Sequence, residues 1–182
     1  MNKLKSHNKR WMAILSVILA AALIAFDQFT KWLAVTRLKG NDAFVLIEGV
    51  FELDYLENRG VAFGMFQNQR WPILIFGAIF MLAIIFVICR LPEGKKYNIL
   101  QIRLVCIVAG GIGNMIDRFF LGYVVDFFSF VLINYPIFNV ADCYVVCATI
   151  GLFIMFLFVM KDEDLAFLSF KRMQKTDEEQ EK

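Results

Sequence analysis

A single histidine, His7, occurs in the 182 residues, and it lies in a basic N-terminal stretch. That scarcity argues against Ser-His and Cys-His nucleophilic sites and against histidine-rich metal sites. The four cysteines (Cys89, Cys106, Cys143, Cys147) fall in apolar segments and none is spaced as CxxC. They read as small buried hydrophobes, neither disulfide-bonded nor metal-ligating. Net charge is only +2, with no basic stripe interleaved with aromatics, so no nucleic-acid partner is expected. Repeats and low-complexity segments are absent too. What is plentiful is apolar: 59% hydrophobic residues, twenty phenylalanines and a mean hydropathy of +0.62 place the chain outside the soluble globular range.

The apolar residues come in runs. The first, Trp11 to Phe26, follows a tail with four basic residues and no acid and continues through Asp27 and Lys31 toward Arg37, a span of about 11–36. It is longer than a signal-peptide core and no A-x-A cleavage site follows, so a retained transmembrane helix is expected. Further spans are expected over about 71–90, 98–120 and 140–160, with Pro72 in a first helical turn and Arg103 able to snorkel. Between the first two, Phe51-Glu52-Leu53-Asp54-Tyr55 alternates apolar and acidic. This is the period of a half-buried strand, and Val45 to Ile47 before Glu48-Gly49 offers a partner. The fold class expected is an all-α membrane protein of four transmembrane helices, with a small extracytoplasmic β-sheet cradle between helices 1 and 2. Residues 1–160 form one domain, and 161–182 read as a charged, disordered cytoplasmic tail.

Basic residues orient the spans. The N-terminal tail has four and the 90–96 loop three, whereas 119–138 has none. The positive-inside rule puts both termini in the cytoplasm. That topology gathers Asp27, Lys31, Asp117, Arg118, Asp126 and Asp142 on the outer side, four acids against two bases.

Ionisable groups at membrane depth are functional candidates by default. Asp27 and Lys31 are four apart, acid first, the favourable order for a helical pair. Arg118 can neutralise one more acid, though Asp117 beside it points elsewhere. About two carboxylates are left without a cation, and two such groups close together in low dielectric share a proton. An aspartic protease needs that arrangement: one carboxylate takes a proton from water while the other polarises the scissile carbonyl. Plainer readings stand alongside. Asn139 to Asp142 has the form of an N-cap with an acid at the third helical position. Asn58 could be a turn residue, Asn114 and Asp117 interhelical glue, and Gly110, Gly111 and Gly113 a packing surface. Two Asp and two Asn could also hold a hard cation through oxygen. Asp126, in an apolar segment with no cap geometry and no nearby base, has no such reading.

Five motifs, in this order, resemble those of the lipoprotein signal peptidases (signal peptidase II), bacterial membrane aspartic proteases. They are Asp27-Gln28-Phe29-Thr30-Lys31, Asn58-Arg59-Gly60-Val61-Ala62-Phe63, Gly110 to Arg118, Val124-Val125-Asp126-Phe127 and Phe138 to Asp142. The resemblance covers about residues 11–160. It implies Asp126 and Asp142 as the catalytic pair, with Asn58, Gly60, Asn114, Arg118 and Asn139 binding substrate or supporting the site. Asp27 and Lys31 are expected as a structural pair and Asp117 as further support, with no metal and no cofactor. The implied substrates are prolipoproteins bearing a diacylglyceryl cysteine, cut on its amino side. Globomycin-type inhibitors would occupy the site, membrane lipids would surround it, and a monomer in the bacterial cytoplasmic membrane is expected. A small transporter or proton relay using the same carboxylates is the alternative, although such proteins favour charges at mid-membrane and broken or repeated helices. A purely structural protein with all four acids paired is another.

Overall fold

The structure is a computed structural model that describes residues 2–60 and 66–168. Val61 to Phe63 of the second motif and residues 169–182 of the tail therefore lie outside the described residues.

Among the described residues, four helices are long and apolar enough to cross a membrane, within Lys9–Arg37, Arg70–Arg90, Lys95–Phe120 and Val140–Phe158. The first belongs to a longer helix, α1 (Asn2–Arg37), which takes in the expected N-terminal tail. Helices α2 (Arg70–Arg90), α3 (Lys95–Phe120) and α4 (Val140–Phe158) complete the set. Helix α3 is the hub: α1, α2 and α4 all pack against it, whereas α1 and α2 barely touch. Small residues permit this. A Cβ on Gly110 would lie 2.5 Å from Ala141 O of α4, and one on Gly111 2.6 Å from Met81 Sδ of α2. Backbones approach closely through such positions in membranes. The apolar cluster around Leu100, Leu104, Ile107 and Val108 then joins α3 to Ile84 of α2 and to Ala148 and Met155 of α4.

The sheet has three antiparallel strands, β1 (Phe44–Ile47), β2 (Phe51–Asn58) and β3 (Val124–Phe130), in the order β1-β2-β3. Only the start of β2 is legible from alternation, and β1 from the Glu48-Gly49 turn that follows it. Strand β3, Val-Val-Asp-Phe-Phe-Ser-Phe, has the β-branched and aromatic content of a strand, but both its faces are largely buried, so it shows no period-2 pattern. Its pairing with β2 contains an irregularity: Leu53 faces Phe128, but Leu56 faces Asp126. Three steps along β2 thus match two along β3, a bulge that shifts every later β2 residue to the other parity. Asn58 therefore shares a face with Asp126.

Part of the tail expected to be disordered is ordered: Asp162–Leu168 forms 3-10 turns. Lys96 pairs with Asp164, and Tyr97 stacks edge-on against Phe167. An apolar ring and a salt bridge at the end of the bundle hold this segment.

Candidate active site

The buried acids divide into two groups at one end of the bundle. In the first, Lys31 Nζ lies 3.0 Å from Asp27 Oδ2 and 3.1 Å from Asp117 Oδ2. All three side chains are nearly free of solvent, at 0–3% residue exposure. The expected Asp27–Lys31 pair is present, and Asp117 joins it. Each acid also spans two elements. Asp27 Oδ1 accepts the Ala141 N–H of α4 at 2.9 Å, satisfying one of the orphan donors of that helix N-terminus. Asp117 Oδ2 accepts the Val125 N–H at 3.1 Å, which anchors β3 one residue before Asp126. Gly113 makes room for the cluster, because a Cβ there would lie 2.5 Å from Asp27 Oδ2. Gln28 has no role in the sequence reading, yet its amide donates to Asp117 Oδ1 at 2.9 Å and Gly113 O at 3.2 Å. The available signal was a long amide inside a span, beside Asp27.

In the second group, Asp126 and Asp142 make no ion pair among the described residues and are held by amides. Asp126 Oδ2 accepts from Asn58 Nδ2 at 2.9 Å and its Oδ1 from Asn139 Nδ2 at 2.6 Å. Asp142 Oδ1 accepts from Asn114 Nδ2 at 2.8 Å, and Asn139 Nδ2 also reaches Asn114 Oδ1 at 3.1 Å. Two asparagines thus bridge the aspartates. Asn139 and Asp142 also form a capping box at the α4 N-terminus: each backbone N–H donates to the other's side chain at 3.1 Å. The plainer N-cap reading of Asp142 is correct as structure and compatible with chemistry, because its Oδ1 faces away from the cap, toward Asn114.

Arg118 closes the group without pairing with Asp117. Its Nη2 donates to Gly60 O at 2.7 Å and its Nη1 to Asn114 O at 3.4 Å, while its Nε is buried without a partner among the described residues. Asn58 Oδ1 accepts the Gly60 N–H at 3.0 Å, so the turn that presents Gly60 also orients Asn58. Arg118, Asn58, Asn114, Asp126 and Asp142 line a cavity of about 570 Å³ walled by Phe138, Val145 and Val146.

Burial pushes the Asp126 carboxyl up to about 7, and the neighbouring Asp142 charge adds to the rise; the amides of Asn58 and Asn139 oppose it. A cation site is poorly supplied. The groups aimed at these carboxylates are amide N–H donors, not oxygens, and among the described residues no three His, Cys, Asp or Glu side chains gather to hold a metal ion. All-paired acids are excluded too, since Lys31 serves only the first group.

The fold and the site define a multi-pass membrane protein that keeps two amide-held carboxylates beside a cavity at one end of its bundle. A family model described as signal peptidase (SPase) II matches residues 19–158. The chain belongs to the signal peptidase II family and is a protease, and the transporter alternative is not favoured. The lipoprotein signal peptidase of Brevibacillus brevis is 42% identical over 145 residues, 80% of this chain and 94% of that one. That of Symbiobacterium thermophilum is 40% identical over 146 residues, 79% and 93% of the two chains. A bacterial membrane enzyme solved in meso at 2.3 Å superposes with a TM-score of 0.71 at 29% identity, covering 79% of this chain and 87% of that one.

Proposed function

We propose that the chain removes signal peptides from prolipoproteins whose cysteine already carries diacylglycerol, cutting on its amino side, and that Asp126 and Asp142 are the catalytic pair. The observation that carries this reading is the pair of bridging amides, which hold two unpaired carboxylates in one cavity. Asp142, at the α4 N-terminus with Asn114 donating to its Oδ1, takes a proton from water as the water attacks the scissile carbonyl. Asp126, held neutral by its apolar surroundings, gives its proton to the carbonyl oxygen. Collapse of the tetrahedral diol returns a proton to Asp126, and Asp142 protonates the leaving amine of the cysteine. Asn58, Asn139 and Asn114 hold the pair, and Arg118 with Gly60 supplies donors and backbone for substrate. Asp27, Lys31 and Asp117 keep the α4 N-terminus and β3 in place.

The basic-residue asymmetry supports cytoplasmic termini and an active site at the extracytoplasmic face of the bacterial cytoplasmic membrane. The chain is proposed to work as a monomer. Globomycin-type inhibitors are expected in the same cavity. The test is incubation of the purified protein with a diacylated prolipoprotein, with and without EDTA. Cleavage before the lipidated cysteine, unaffected by chelation, is expected. A loss that Mg²⁺ or Mn²⁺ restores would replace the carboxylate mechanism with a cation-assisted one.

A further inference from the structure

Away from the site, at the other end of the bundle, α1 and α2 separate and leave a groove floored by α3. Its volume is about 590 Å³, and its walls are Ala13, Ser16 and Ala20 of α1 with Ile85 and Ile88 of α2. The interior is apolar, and the polar group on the floor, Gln101, is satisfied by donating to Ser16 Oγ at 2.8 Å. The mouth is different: Lys9 and Lys95 stand there against one acid, Glu93. Lys9 Nζ reaches across to Cys89 O at 3.4 Å, and Lys95 opens α3, whose first turn contains no acid and whose N-cap, Gly94, contributes no side-chain bond. Lys95, in the first turn of α3, has the unfavourable sign for that helix's dipole, and an anion between it and Lys9 would offset this.

The dimensions select the occupant. From Lys9 to Ala20 is eleven residues of helix, about 16 Å at the α-helical rise. The hydrocarbon core is about 30 Å thick, so the groove is one leaflet deep. An apolar slot one leaflet deep with lysines at its mouth matches a single lipid, whose acyl chain is apolar and whose phosphate is anionic. A single acyl chain is narrow enough to enter.

We propose that this groove binds one anionic glycerophospholipid from the leaflet at the Lys9–Lys95 end, an acyl chain lying between α1 and α2 and the phosphate at the two lysines. The basic-residue asymmetry makes that leaflet the cytoplasmic one. The lipid fills the gap that α1 and α2 leave between them beyond the Lys9–Cys89 bond, and so braces the helix that carries Asp27 and Lys31 at its far end.

Native mass spectrometry of the full chain in detergent tests this with dioleoylphosphatidylglycerol and dioleoylphosphatidylcholine. The parent should retain one phosphatidylglycerol at least tenfold more tightly than phosphatidylcholine. Lys9→Gln with Lys95→Gln should reduce that preference at least fivefold, and the two Lys→Arg changes should keep it. Ala13→Phe, at an exposed position that tolerates bulk, and Ala20→Phe, deeper in the groove, should each weaken both lipids at least fivefold. Equal retention of the two lipids by the parent would overturn the proposal, as would unchanged binding in the glutamine or phenylalanine variants. So would a photoreactive residue at Ile85 that captures a polypeptide instead of lipid in native membranes.

Discussion

Lys31 Nζ and Asn114 Oδ1 lie 2.9 Å apart, and that bond decides what Asn114 offers Asp142. An ammonium can only donate, so the amide oxygen must face Lys31 and the amide nitrogen is turned to Asp142. The structural ion cluster and the candidate catalytic pair are thereby one network. Replacing Lys31 with Met should leave Asp27 and Asp117 buried without a cation, a loss of about 3–5 kcal/mol for breaking such a group. Thermal unfolding in detergent should show it. Asp27→Asn should likewise lower thermal stability at least as much as turnover per folded molecule. A fully folded, inactive Asp27→Asn protein would show that the division between the two groups of acids is wrong.

Asp126→Asn and Asp142→Asn should each reduce cleavage by roughly 10³-fold or more, and the double variant should be little worse, as for groups that act as a unit. Removing a buried charge alone would make either variant as stable as the parent. In this site, however, both oxygens of each aspartate accept N–H bonds, from Asn58 and Asn139 or from Asn114 and the Asn139 backbone. An asparagine turns one acceptor into a donor facing a donor, so each variant should lose about 1–3 kcal/mol. Single-turnover assays and unfolding curves separate the two effects. Either variant keeping more than about a tenth of the parent's turnover would contradict the pair mechanism.

Raising the pH should lower both rate and stability, in different windows. Asp126 must hold a proton to polarise the carbonyl, so kcat/KM should fall as pH rises through about 7. For stability, a carboxyl with a raised folded pKa binds more protons folded than unfolded between about 4 and 7, so stability falls with rising pH across that window. The difference in Tm between the parent and Asp126→Asn should therefore shift against the parent from pH 4 to 7. A flat difference would mean that Asp126 titrates as an ordinary carboxyl.

Gly113→Ala should destabilise by about 1–3 kcal/mol, the range for overpacking a close contact. The new methyl would sit 2.5 Å from Asp27 Oδ2, which Lys31 and the Ala141 N–H hold in place. Gly151→Ala should cost much less, although its methyl would overlap the Arg103 guanidinium, because that side chain can swing aside. Equal costs at the two positions would show that Asp27 is not held rigidly.

Orientation is checked by cysteine accessibility on a cysteine-free background. Leu132→Cys should react with an impermeant reagent from outside and Glu93→Cys only from inside. The reverse pattern would turn the site toward the cytoplasm.

Charge placement and helical spacing made much of this molecule legible. Asp27 and Lys31 pair as their four-residue spacing requires, and the apolar runs mark the spans. Asp126 stands out because nothing local accounts for it. Long-range geometry was not legible. That Lys31 holds Asp117 as well, and that Asp27 caps α4 at Ala141, depend on how α1 crosses α3, which no spacing within one helix encodes. Strand β3 stayed hidden because a strand buried on both faces loses the alternation that marks an exposed one. Residues 162–168 looked disordered because their charges are conspicuous, whereas Phe167 and its contact with Tyr97 are not.

The bulge in β2 has a further consequence. Had the Leu53–Phe128 register continued, Tyr55 would face Asp126 and Glu57 would take the place beside it that Asn58 occupies. The same residues in the same order would then set a third carboxylate against the pair where an amide donor now stands. Chain length in this hairpin is therefore an electrostatic variable. Adding a single residue between Leu53 and Leu56, with the bulge unchanged, would alter the charge of the site without replacing any residue that lines it.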